Sequence, residues 1–405
     1  MLTKDLLLRL FDAAYMLRWN DKVRPVDLVE LDKQAHKMVI AYILGKLQEK
    51  DAGFDWIEII EGGIFELLQR MVVTDIKPPI FHRIRADAAK YRLLNQWVFG
   101  VLENTLKPLG PEFCSRFQAY FAQPEENINR RILNAAHFFA TKWEFDIIQK
   151  ANPTSYDIED IAADLHSKQE RYQDLVGIQA LKHEAGKPEK DKLLTRFINL
   201  CGELRFQIRW ANLHRIPKTS VMGHMLFVGI LAYLFSLQVK ASPRRRSNNF
   251  FTGLFHDLPE VLTRDIISPV KKSVAGLSDL IKEYEKELMH KEVYSLLPPE
   301  WHAEMRLFTE HEFSNLVEDQ GRTRESISCD DINEHYNHDR FNPRDGHLVR
   351  AADELAAFLE ADVAISNGSS SHELSDARKR IKYDYQSVKK MIGGIDFGQL
   401  YFEFD

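Results

Sequence analysis

The chain has 405 residues, 44% hydrophobic and 28% charged, the composition of an ordinary globular protein with room for two or three domains. A net charge of -6 gives no support for a surface built to neutralise nucleic-acid backbones, so no nucleic-acid partner is expected and a metal-dependent nuclease is disfavoured. Three well-separated cysteines, Cys114, Cys201 and Cys329, exclude a disulfide framework and a thiolate zinc site and fit a reducing compartment.

The N-terminus interrupts its apolar residues with charges, unlike a secretory leader. No run approaches eighteen apolar residues, so a cytoplasmic protein without a membrane partner is expected. In chain order, Leu6, Leu7, Leu10, Phe11 and Ala14 predict a first helix, and Met38 to Leu47 a second. Asn152-Pro153-Thr154-Ser155 ends a helix, and residues 156–183 read as one closing helix of the first domain. The break at Glu184-Ala185-Gly186-Lys187-Pro188 sets the boundary between domains 1–185 and 186–405. Helices then span Leu193 to Ile208 and Leu226 to Leu237, followed by the basic cluster Pro243-Arg244-Arg245-Arg246, read as a solvated loop. Phe250, Phe251, Leu254 and Phe255 continue at helical spacing. The polar, turn-rich stretch 318–346 reads as a long loop, either a lid or a surface excursion. A helix around Asp353 ends at the polar break Ser366 to Ser371. Alternating strand patterns are nearly absent, so the fold class is all-α.

Self-comparison finds three ordered blocks. Arg18-Trp19 recurs as Arg209-Trp210. Gly63, Phe65, Asp75, Ile76 and Pro79 match Gly253, Phe255, Asp265, Ile266 and Pro269 at an offset of 190. Ala135, Ala136, Glu144 and Asp146 match Ala351, Ala352, Glu360 and Asp362 at an offset of 216, which locates an insertion of 26 residues within 318–346. The expectation is a tandem pair of helical bundles.

The second copy carries the chemistry. His256-Asp257 is a vicinal pair at the end of an apolar run, with Glu260 close behind. His224 and Asp353 lie at matching apolar positions, completing a two-histidine, two-aspartate metal set. A second such pair, His338-Asp339, has no apolar face and reads as solvated loop. In the first copy Glu66-Leu67 stands opposite His256-Asp257, Arg70 opposite Glu260 and His137 opposite Asp353. His36 and His137 alone cannot complete a site, so this copy is expected to be catalytically dead, either a packing partner or a regulatory ligand pocket.

The ordered set His224, His256-Asp257 and Asp353 resembles the HD-domain metal-dependent phosphohydrolase superfamily. Arg209-Trp210, the run from His256 to Asp265, Ser268-Pro269-Val270-Lys271, Glu310-His311 and the residues around Asp353 resemble its bacterial 5'-deoxynucleotidase branch, over roughly residues 193–390. The resemblance implies tandem HD-like bundles with the first degenerate. It implies one divalent metal held by His224, His256, Asp257 and Asp353, with Mn, Co, Fe, Mg and Zn all compatible. It makes Glu260 the general acid or base, Arg209 the holder of the 5'-phosphate, Trp210 a wall against the sugar and Asp265 the partner of the 3'-hydroxyl. Structural roles compete for the last three, since Arg18, Trp19 and Asp75 persist in the first copy. The branch usually has an acidic residue before its first metal histidine, where this chain has Gly223. His311 reads as a core histidine rather than a ligand of a second metal, and His290, His302, His335, His347 and His372 as exposed.

A nucleotide is the implied substrate, with release of phosphate from (deoxy)nucleoside 5'-monophosphates the leading activity. Hydrolysis of triphosphates or signalling nucleotides would draw on Arg244 to Arg246 and Lys271-Lys272. A non-catalytic nucleotide sensor is the remaining class. Such phosphohydrolases self-associate, so either a homodimer or an intrachain pseudo-dimer is expected.

Overall fold

The computed structural model describes residues 2–122, 127–266, 274 and 276–405. Ser268 to Lys271, Lys272 and the repeat match at Pro269 lie outside the described residues. The first half holds α1 (Lys4–Phe11), α2 (Glu30–Lys46), α3 (Trp56–Val73), α4 (Pro78–Ala86), α5 (Ala88–Leu106), α6 (Pro111–Ala122), α7 (Ile128–Ala151), α8 (Ile158–Gln169) and α9 (Val176–Ala185). The second half holds α10 (Leu193–Glu203), α11 (Val221–Gln238), α12 (Pro243–Phe255), α13 (Glu260–Thr263), α14 (Leu277–Leu288), α15 (His302–Thr309), α16 (Gly346–Ser366), α17 (His372–Gln386) and α18 (Phe397–Phe402). Helices dominate as expected, and the described strands are short: β1 (Asn315–Asp319), β2 (Arg322–Glu325), β3 (Arg344–Asp345), β4 (Met391–Ile392) and β5 (Ile395–Asp396).

Two helices, α2 and α11, pack against each other at the centre, and one continuous apolar cluster runs from Leu2 to Phe404 through both. Their burial on all sides explains why α11 lacks the polar face of a surface helix. Contrary to the expectation of no such run, Val221–Gln238 is long and apolar enough to cross a membrane, with mean hydropathy 1.6, but 89% of it is buried inside the protein. Helix α12 crosses α11 closely because Gly229 and Gly253 meet there. A Cβ on Gly253 would lie 2.7 Å from the Gly229 Cα. The crossing brings the start of α11, which carries His224, towards the end of α12, where His256 follows.

Several expected boundaries shift. The single closing helix over 156–183 is two helices, α8 and α9, separated by a 3-10 turn and a bend. Glu184, at the end of α9, accepts from the backbone N–H groups of Leu194 and Thr195, both at 2.9 Å, and so ties the break to α10. The helix expected to run to Ile208 stops at Glu203.

The basic cluster is not a solvated loop. It forms the first turn of α12, where Pro243 is favoured because its missing N–H would be unpaired there anyway. Arg245 is fully buried and forked onto Asp345, Nε to Oδ2 at 2.6 Å and Nη2 to Oδ1 at 2.8 Å. Arg244 reaches Glu304 at 3.1 Å and Asn342 at 2.9 Å. Segment 318–346 is likewise more ordered in pattern than a plain loop. It contains part of the β1–β2 hairpin, with β3 pairing along the other edge of β1. His338 and Asp339 are exposed as expected, although Asp339 also accepts from the Arg244 N–H at 2.9 Å.

Asp345 precedes the first residue of α16, the helix that bears Asp353, so the Arg245 fork fixes where that helix begins. Asn249 accepts from the Asp345 N–H and donates to its carboxylate, both at 2.9 Å. Asp345→Ala leaves a buried guanidinium without its carboxylate and is expected to cost about 3–5 kcal/mol, read by urea unfolding. Arg245→Met combined with Asp345→Leu is expected to cost less than Asp345→Ala alone.

Candidate metal centre

His224 lies in the first turn of α11, whose Ser220 caps the helix by accepting from the Gly223 N–H at 2.9 Å. Helix α12 ends at Phe255, so His256 and Asp257 sit in the turn just beyond it. Pro259 then precedes a fresh helical turn that Glu260 opens. Asp353 comes from the third turn of α16.

The four side chains converge. His224 Nε2 lies 3.0 Å from Asp353 Oδ1 and 3.7 Å from Asp257 Oδ2. His256 Nε2 lies 3.2 Å from Asp257 Oδ2 and 3.8 Å from Asp353 Oδ1. Ligand atoms of His224, His256 and Asp257 all fall within 4.8 Å of one another. A cation bonded at about 2.0–2.2 Å sets neighbouring ligand atoms about 3.0–3.5 Å apart, so these spacings fit one ion.

The far side of each ring supports the same reading. His256 Nδ1 lies 2.8 Å from the Gly253 carbonyl, so in the neutral ring Nδ1–H donates there and the Nε2 lone pair faces the carboxylates. His224 Nδ1 faces Glu360 at 3.5 Å. The buried His256 Nε2 has no hydrogen-bond partner. A buried acceptor aimed at two carboxylates fits a cation between them. Burial disfavours charge on His256, but Asp257 and then Asp353 outweigh it and raise the imidazole to about 9. Burial would raise Asp257, and His256, His224 and Arg209 instead hold it below the usual carboxylate range.

Glu360, found at sequence level only as a repeat match, binds several elements of the site. It accepts from Arg209 Nε at 3.2 Å, Trp210 Nε1 at 2.8 Å and Thr219 Oγ1 at 2.8 Å. Its position seven residues after Asp353 puts it two turns along the same face of α16, the spacing that could have revealed it. Arg209 also reaches Asp257 through Nη1 at 3.4 Å. Burial opposes its charge, and Glu360, then Asp257, Asp265 and Glu260, outweigh that and hold it protonated. Asp265 and Glu260 therefore lie within the field of Arg209. Trp210 packs its ring beside Ala361, Ala364 and Leu374.

Other histidines distribute differently from expectation. His311 is not in the core. Its side chain is 42% exposed, with Nδ1 3.8 Å from Glu325 of β2. His302 is half-buried, its Nε2 3.0 Å from the Leu297 carbonyl. Glu312, not singled out in the sequence, is raised by burial and feels the charge of His256. Phe313 places its ring 6.2 Å from that of His256, with the Arg350 guanidinium 5.0 Å over Phe313.

Parallel features stand in the first half. Trp19 and Trp210 both take positive φ, 53° and 57°, as do Thr74 and Arg264, 56° and 65°. Arg18 Nε and Trp19 Nε1 donate to Glu144 at 2.8 and 2.9 Å. Backbone bridges Leu17–Val29 and Ile208–Ser220 precede α2 and α11, which sets a local offset of 191 and puts Lys33 opposite His224.

Residues 201–382 match the family model described as HD domain. A 5'-deoxynucleotidase of Photorhabdus temperata is 24% identical over 191 residues, covering 46% of this chain and 81% of that protein. One of Vibrio parahaemolyticus is 25% identical over 201 residues, 48% of this chain and 87% of that protein. One of Pasteurella multocida is 21% identical over 196 residues, 46% of this chain and 82% of that protein. Residues 201–382 are thus similar to HD domains, and the second half of the chain is similar to these 5'-deoxynucleotidases.

The Gly223 departure has a steric cause. A Cβ at Gly223 would lie 2.5 Å from Asp32 Oδ1, and that same oxygen accepts from Ser220 Oγ at 2.7 Å. An acidic group thus does stand beside the first ligand helix, supplied by α2. Burial raises Asp32 to about 6, against the pull of Arg205 and Ser220 and with a further push from Glu144. Between about pH 4 and pH 6 the folded chain keeps a proton that the unfolded chain has released, so stability falls as pH rises through that window. The shift corresponds to about 3 kcal/mol. Asp32→Asn is expected to lose this dependence, so its unfolding free energy relative to the native chain rises by that order from pH 4 to pH 6.5. A flat difference would contradict the assignment.

Proposed function

We propose that the HD domain is a divalent-metal-dependent phosphohydrolase that releases phosphate from deoxynucleoside 5'-monophosphates. The observation that carries this reading is the convergence of two imidazole Nε2 atoms on two carboxylates. His224, His256, Asp257 and Asp353 would hold the ion. A divalent cation bound there supplies charge neutralisation at phosphorus and acidifies water.

The remaining steps fall to the chain itself. Arg209 presents a guanidinium beside Asp257, a forked donor suited to phosphate oxygens. Glu260, buried at the start of α13, exchanges the proton with the attacking water or the leaving 5'-oxygen. Asp265 is assigned to the sugar 3'-hydroxyl. For Trp210 the observations favour a positioning role, since its indole N–H is donated to Glu360 and Trp19 repeats that bond with Glu144. A triphosphate substrate is less well supported, because Arg245 is consumed by Asp345 and Arg244 is paired with Glu304.

We further read the first half as a degenerate HD-like repeat that takes the place of a second subunit. The shared apolar cluster and the matched φ angles, tryptophan bonds and bridges support this. Solution scattering of the full chain is expected to give one compact particle with a radius of gyration of about 22 Å, and two separated lobes would contradict the reading.

Activity is tested by a screen of Mn, Co, Fe, Mg and Zn against deoxy- and ribonucleoside mono- and triphosphates, with orthophosphate as the readout. Asp257→Ala is expected to lose both bound metal and turnover. Glu260→Gln is expected to keep the metal and lower kcat by roughly 10²–10⁴-fold. Full turnover by Asp257→Ala would remove the metal-dependent mechanism.

A further inference from the structure

The first half contains a buried cationic cluster that the reaction does not use. Lys33 and Lys37 are both fully buried on α2. Lys37 is paired with Glu66 at 2.8 Å. Among the described residues Lys33 has no carboxylate at ion-pair distance, and its Nζ instead lies 2.6 Å from His137 Nδ1. The nearby carboxylates are engaged elsewhere. Glu30 takes Arg18 at 2.7 Å, Arg70 at 3.4 Å and Gln34 at 2.7 Å. Glu144 takes Arg18, Trp19 and Arg205.

The cluster is reachable. His137 is exposed, and the side chains of Arg70, Glu66 and Arg18 keep 26%, 19% and 13% of their surface. Burial holds the Lys33 ammonium well below the usual lysine range, and Arg18 and Lys37 add to this against Glu30. A buried ammonium without a counter-charge is costly, and an incoming anion removes that cost.

We propose that the cluster of Lys33, His137, Arg70 and Arg18 is an anion site for a phosphate group, free or carried by a nucleotide. It is separate from the metal centre and does not depend on turnover there. Phosphate oxygens would accept from Lys33 Nζ and from the His137 ring, with Arg70 and Arg18 at the rim.

The test is calorimetric titration of the full chain in chelator, with inorganic phosphate and, separately, a nucleoside 5'-monophosphate. One saturable site is expected that Asp257→Ala retains and that Lys33→Met weakens by at least about tenfold. His137→Asn, at an exposed position, is expected to weaken it in the same direction and serves if Lys33→Met does not fold. Binding of inorganic phosphate alone identifies free phosphate as sufficient, whereas binding of the nucleotide only makes the nucleoside part of the ligand. Absence of saturable binding with either probe, or binding that both first-half variants leave unchanged, would overturn the proposal. So would binding that Asp257→Ala abolishes.

Discussion

The second half depends on one buried carboxylate. Glu360 is 1% exposed and receives hydrogen bonds from Arg209, Trp210 and Thr219, while facing His224 Nδ1. These groups come from the segment before α11, from α11 itself and, through Glu360, from α16. A buried carboxylate is tolerated only when its lone pairs are filled, so the three donors and the imidazole must assemble together. Their assembly orients His224 Nε2 towards Asp353, two turns back along the helix that carries Glu360. The geometry of the candidate ligands is thus a consequence of satisfying a charge that does not itself belong to the candidate set.

The seam between α2 and α11 imposes the second constraint. Both helices are buried on all sides, so neither half can present its central helix to water without exposing an apolar surface from Val221 to Phe235 or from Leu31 to Leu44. Asp32 sits where a side chain at position 223 would have to go, and its bond to Ser220 braces the cap of α11. Substitution on one side of the seam therefore reaches the candidate metal centre on the other through a single hydrogen bond and one helix turn.

Much of this was legible in the chain, and what was not has physical causes. The candidate ligands stood out because metal chemistry calls for rare residue types at apolar positions, as at His224 and Asp353. The helices of the bundle were visible through their 3.6-residue period. The role of Arg245 was not, since a run of three arginines gives no sign that one will be buried against Asp345, a hundred residues away. Nor was the reason for Gly223, because a steric vacancy filled from another helix leaves no local trace. His311 misled because the lack of a second ligand cluster around it argues against a metal role without placing its side chain in the core. The hairpin before α16 was hidden by charges, as an edge strand such as β2, with all four residues exposed, carries no alternating apolar pattern.

The two halves differ most in the sign of the charge they bury. In the second, Asp257 and Asp353 gather around two imidazoles, with Glu260 in the field of Arg209, and the arrangement favours an added cation. In the first, the positions at corresponding offsets carry Leu67, His137 and Arg70, and Lys33 stands opposite His224. Three carboxylates have no carboxylate opposite them and two basic side chains, Arg70 and Lys33, stand there, yet Arg18, Trp19 and Glu144 make the bonds that Arg209, Trp210 and Glu360 make. Inert packing alone would favour apolar filling, because replacing buried charges by well-packed hydrophobic groups is often neutral or stabilising. Lys33 is instead a basic side chain buried without a carboxylate at ion-pair distance among the described residues, next to Lys37, which is paired with Glu66. Their retention beside an accessible histidine is what inert packing does not explain and what a ligand of opposite charge does.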